Sequence, residues 1–170
     1  FNSGQGGWPL LIISAILLFL VMSFEFISCD PASALRPISI IILDSICYAV
    51  FLLFMVALRA NVSRLIISLP AAFLVSMVVS LKIYSFHIIH SSVLLLSAVS
   101  GMLIIFADVG LHYLPINIVS YGSLIFLWYY IITELLISED RAENVIDTLK
   151  RMLPVIILVV LVMIYAAVKL

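Results

Sequence analysis

Five ionisable residues, Glu25, Asp44, Lys82, Asp108 and Glu134, lie inside or at the margins of long apolar runs in this 170-residue chain. A charge at the centre of a membrane helix costs about 2.5–3.5 kcal/mol on insertion scales, so groups of this kind are usually paired or functional. Threading the runs through a bilayer puts Glu25, Asp44, Lys82 and Glu134 in one leaflet. Three carboxylates and one ammonium at similar depth suit a buried polar network or a coupling site for a cation or proton. Asp44 is the deepest, about 9 Å from its helix boundary at about 1.5 Å per residue. Tyr48, one turn on, shares its helix face and offers a hydroxyl. The alternative for Asp44 is a structural hydrogen bond between helices.

Asp108 and His112 form a second polar pair, four residues apart near the other membrane surface. A carboxylate beside an imidazole suits a proton relay or pH sensor, and equally a clasp on a tight hairpin. His87 and His90 give an H-x-x-H pattern, but no further Cys- or Glu-rich ligand set stands nearby, so neither metal nor haem is expected and no cofactor is assigned. Cys29 and Cys47 lack C-x-x-C spacing and read as two thiols. Asn61-Val62-Ser63 matches a glycosylation sequon but lies too close to two membrane ends to serve as an acceptor. No catalytic motif is present, and none of the known nucleophile, nucleotide or voltage-sensing patterns is found.

The third run carries a packing pattern instead. Ser68, Ala72, Ser76 and Ser80 recur every four residues, with Ser97 and Gly101 as a shorter pair in the fourth run. Small side chains at this spacing let helices approach closely and offer hydroxyls for bonds between them. Lining a pore or substrate path is the alternative role for the same stripe.

The elements that must position these residues follow from composition. Hydrophobic residues make up 66% and charged residues 10% of the chain, with a net charge of −1, against about 45–50% and about 25% for soluble domains. That excludes a water-soluble globule, a disordered segment, a nucleic-acid binder and a disulfide-stapled secreted module. The fold class is an all-α integral membrane protein, because apolar runs this long without period-2 alternation are helices, and an open sheet leaves unsatisfied edges in lipid. Breaking the chain at charges, prolines and polar clusters predicts six antiparallel spans at 8–28, 38–58, 65–84, 91–111, 115–137 and 152–168, joined by short loops. A flexible lead-in, 1–7, precedes a single membrane domain, 8–170. Because the chain opens on Phe1 rather than Met, it is expected to be a processed product or a piece of a longer protein.

Pro115 is expected in the first turn of the fifth span. In the fifth loop, Ser138 reads as an N-cap, and Ala142, Val145, Ile146 and Leu149 recur on one face. This predicts a short interfacial amphipathic helix over 139–151. Lys and Arg counts bias the odd-numbered loops toward the cytoplasm.

These features point to a non-enzymatic, polytopic membrane subunit or domain of a larger assembly supporting transport or secretion. Membrane lipid and other membrane subunits, or copies of itself, are its expected partners. A self-contained transporter or channel coupled through Asp44 is the alternative. An intramembrane enzyme on a lipidic substrate fits least, because Asp108 and His112 lie across the membrane from the other carboxylates.

Overall fold

A computed structural model describes residues 7–30, 33–61, 65–88 and 91–168. It is all-helical among the described residues: α1 (Gly7–Cys29), α2 (Arg36–Asn61), α3 (Leu65–His87), α4 (Val93–His112), α5 (Ile118–Asp140) and α6 (Val145–Val168). Such runs of Leu, Ile, Val and Phe become helices because only there does every backbone N–H and C=O find a partner without water. Among the described residues five helices, α2 to α6, are long and apolar enough to cross a membrane. At about 1.5 Å per residue each exceeds or matches a hydrocarbon core of about 30 Å. Residues 1–6 of the expected lead-in, Val62 and Ser63 of the sequon, and His90 lie outside the described residues, whereas Gly7 already belongs to α1.

The chain divides into two compact units, 1–46 and 47–170, with the boundary inside α2. In the first, the end of α1 is closed locally: Ser28 Oγ donates to the Glu25 carbonyl at 2.7 Å, and Asp30 N–H to the Ile27 carbonyl at 3.3 Å. Ser39, in the first turn of α2, returns its hydroxyl to the Leu35 carbonyl at 3.0 Å.

In the second unit α3 packs on α4, α4 on α5, α5 on α6, and α3 on α5. Ser68, Ala72, Ser76 and Ser80 are all buried along α3, and Ser97, Ser100 and Gly101 along α4. A β-carbon on Gly101 would stand 2.9 Å from the Phe73 ring, so glycine is what lets that ring lie against the α4 backbone. Residues 47–61 of α2 add large side chains to this core: Phe51 stacks on Tyr129 with ring centroids 4.0 Å apart, and Met55 is buried beside it in the same cluster.

Two expected helix starts are corrected. The fifth span begins at Ile118 rather than Pro115, because Asn117 caps it: its side-chain oxygen accepts from Ser120 N–H at 2.7 Å. A cap that satisfies an orphan N–H outweighs the fixed φ that Pro115 offers three residues earlier. The fourth span likewise begins at Val93, after an extended Ser92.

The interfacial helix over 139–151 is also corrected. Residues up to Asp140 complete α5, and α6 starts at Val145, running unbroken through Pro154. The reason is a Schellman closure. The N–H of Ala142 bonds to the Glu139 carbonyl at 3.1 Å and that of Glu143 to the Ser138 carbonyl at 3.0 Å, with Ala142 in the left-handed region at φ 51°. Ser138 is therefore inside the last turn of α5, its hydroxyl donating to the Leu135 carbonyl, and is not an N-cap. Asn144 starts α6 instead, its carbonyl accepting from Asp147 and Thr148.

Candidate functional site

Four helix ends of the second unit meet at one polar cluster: the last turn of α4 and the first turn of α5, joined by a short hairpin, with the first turn of α3 and the last turn of α2. Asp108 is its centre and is 0% exposed. Ser68 Oγ donates to its Oδ2 at 3.0 Å, and the Tyr121 hydroxyl donates to its Oδ1. Both carboxyl oxygens are thus occupied by hydroxyls of neighbouring helices.

Arg59 is the cation of the cluster. Its guanidinium lies 4.9 Å from the centroid of the Tyr121 ring, donates to the His112 carbonyl at 3.1 Å, and stands 3.0 Å from His112 Nδ1. Arginine has no acceptor, so Nδ1 must accept and the imidazole proton resides on Nε2. The order across the cluster is Ser68, Asp108, Tyr121, Arg59, His112. A buried carboxylate is thereby held by two hydroxyls, with a cation one aromatic ring away. Asp108 and His112, expected as a pair, are each held by a residue from another helix.

The remaining expected site residues are distributed elsewhere. Glu25 and Asp44 belong to the first unit, on α1 and α2. In the second, the Tyr48 hydroxyl donates to Thr133 Oγ1 at 3.0 Å, while Thr133 donates to the Tyr129 and Tyr130 carbonyls. Tyr48 also meets Tyr130 edge-on at 5.5 Å between centroids. Lys82 Nζ sits 4.9 Å from the Phe86 ring centroid, and Glu134 is half-buried on α5. Two members of the α3 stripe carry bonds beyond packing: Ser68 to Asp108, and Ser80 to the Tyr129 hydroxyl at 2.9 Å. Ser100 accepts from the Tyr84 hydroxyl at 2.6 Å. Cys29 and Cys47 are both thiols.

At the opposite ends of α3 and α5, the α5–α6 corner forms a surface cluster. Arg151 bonds to Glu143, and Arg141 lies 3.6 Å from the other Glu143 oxygen. Arg141 also donates to His87 Nδ1 at 2.8 Å, and Asp140 accepts from Ser91 N–H at 2.9 Å. The Arg151 hydrogen bond holds the Glu143 carboxyl below the usual carboxylate range, with the Arg141 charge adding to the effect. Among the described residues no group of three or more His, Cys, Asp or Glu is placed to hold a metal ion.

Arg59 and Tyr121 are the members that the sequence reading did not single out. A usable signal existed for each. Asp108 lies four residues before the end of α4 and Tyr121 three after the start of α5, so counting outward from the hairpin brings them level. Arg59 lies in the last turn of α2, in the loop region on the same membrane side as His112.

A cavity of about 470 Å³ between α4 and α5 has a different character. It is an open groove between α4 and α5, lined by Leu103, Phe106, Gly110 and Leu111 on one side and Trp128 and Ile132 on the other. Its lining is almost wholly apolar.

A family model described as a protein of unknown function, DUF5656, matches residues 2–168. No curated protein and no solved structure matches the chain.

Proposed function

This chain belongs to the DUF5656 family, and from its own side chains we propose that it is a non-enzymatic membrane subunit that works by packing its helices within a larger assembly. In an assembly for transport or secretion it would be a structural member and not the conduit. The observation that carries this reading is the state of Asp108: fully buried, with both oxygens taken by hydroxyls of neighbouring helices. A carboxylate that couples to ions must exchange with water, whereas one sealed in this way fixes the relative positions of α3, α4 and α5.

The surfaces agree with such a role. In the second unit α6 packs on α5, and Leu158, Leu161 and Tyr165 stand exposed along its outer face. Purification in mild detergent tests the proposal. A membrane partner should be retained at fixed stoichiometry and lost on Leu161→Asn, with the thermal midpoint of the chain itself unchanged. A lone chain that conducts cations or protons after reconstitution would overturn it.

A further inference from the structure

We propose that the groove between α4 and α5 is a lipid site: it takes one acyl chain of an anionic phospholipid, with the phosphate drawn to Arg59 beside His112. This goes beyond the packing role and does not rest on it.

Three features of the fold carry the inference. The groove opens on the surface of two membrane-spanning helices, with Phe106 71% and Trp128 53% exposed. Its volume of about 470 Å³ falls in the range of about 300–1,000 Å³ usual for small-molecule sites, and its apolar lining suits hydrocarbon. Along α4 it runs from Leu103 near mid-helix to Leu111 in the last turn, roughly 12 Å at about 1.5 Å per residue. It therefore points from the interior of the bilayer toward the surface.

At that outer end stands a cation. His112 follows Leu111 directly and is bonded to Arg59 through both its ring nitrogen and its carbonyl. The planar guanidinium fork of Arg59 has five donors, so a phosphate can be met without giving up the His112 contacts. Tyr113, 77% exposed and edge-on to the His112 ring, is placed where aromatic side chains mark the headgroup level. An apolar slot ending beside the Arg59 guanidinium is complementary to one molecule with both properties, an anionic phospholipid.

Gly110 provides a clean test, because a β-carbon there meets nothing within 4 Å. With Trp8→Phe as background, Trp128 is the single tryptophan of the chain. The protein would be reconstituted into phosphatidylcholine vesicles, and Trp128 fluorescence quenched with brominated phosphatidylglycerol or brominated phosphatidylcholine. Phosphatidylglycerol should quench at about five-fold lower mole fraction, the factor expected for one cationic contact near the surface. Arg59→Gln should bring the ratio to about one by removing the charge, and Gly110→Phe should do the same by filling the slot. Equal quenching by the two lipids in the unsubstituted groove would overturn the proposal, as would a phosphatidylglycerol preference that survives both substitutions. A protein segment bound in the groove and released by Gly110→Phe would overturn it too.

Discussion

The Tyr121 hydroxyl donates to Asp108 Oδ1 across the α4–α5 hairpin, joining two residues that stand level on antiparallel helices. Ser68 occupies the other carboxylate oxygen from α3, so a single side chain ties three helices together. In lipid, where apolar faces gain little from meeting each other, such bonds and close packing decide which helices associate.

Tyr121→Phe and Ser68→Ala each leave the buried Asp108 with one donor fewer. Hydrogen bonds to charged groups contribute about 1.5–3 kcal/mol in soluble proteins and less in membranes, so each substitution should cost about 1–2 kcal/mol. Thermal unfolding in detergent would read this as a lowered midpoint for both.

The glycines separate by their surroundings. A β-carbon on Gly122 would sit 2.4 Å from Val56 Cγ2, a stiff branched side chain, whereas one on Gly110 meets open space. Gly122→Ala should destabilise by about 1–3 kcal/mol through overpacking, and Val56→Ala should recover much of the loss. Gly110→Ala should be neutral or stabilising by up to about 1 kcal/mol, since alanine is the better helix former. Unfolding midpoints of the three variants check the sign of each effect.

Ala142 holds the left-handed position that closes α5, at φ 51°. A non-glycine residue there costs about 1–2 kcal/mol, and the Schellman bonds around it need that conformation. Ala142→Gly should therefore stabilise the α5–α6 corner by about 1 kcal/mol. The gain should appear as slower hydrogen exchange at the Ala142 and Glu143 amides.

The same corner should respond to acid. Arg151 lowers the folded-state pKa of Glu143 below the ordinary glutamate value, so the stabilisation is complete above the ordinary range and fades as pH falls through the lowered value. Because both partners are largely at the surface, the effect is local and screened by salt. Hydrogen-exchange protection factors over 140–146, corrected for the intrinsic pH dependence of exchange, should fall on acidification, and Glu143→Gln should remove that change.

Helix number and type were legible because charge, proline and polar breaks fall between apolar runs too long for anything else in lipid. Boundaries were less so. Pro115 reads as a helix start by its fixed φ, yet the competing cap at Asn117 prevails, a contest visible only in backbone geometry. At the fifth loop, the apolar spacing of Ala142, Val145, Ile146 and Leu149 imitates one helix face, while the chain spends Ala142 on a left-handed turn that alanine does not advertise. The polar cluster was half legible: Asp108, His112 and Ser68 stood out by type, but periodicity along α4 pairs Asp108 with His112. Their actual partners, Tyr121 and Arg59, come from neighbouring helices.

A double-mutant cycle between Asp108 and Tyr121 tests the central claim most directly. Unfolding free energies in detergent would be measured for Asp108→Asn, Tyr121→Phe and the double variant. If Asp108 is a clasp between helices, the single substitutions are strongly non-additive, with a coupling energy of about 1–2 kcal/mol, and the double variant is little worse than Asp108→Asn. Additive effects, or an Asp108→Asn variant as stable as the parent chain and altered in reconstituted cation or proton flux, would contradict the account.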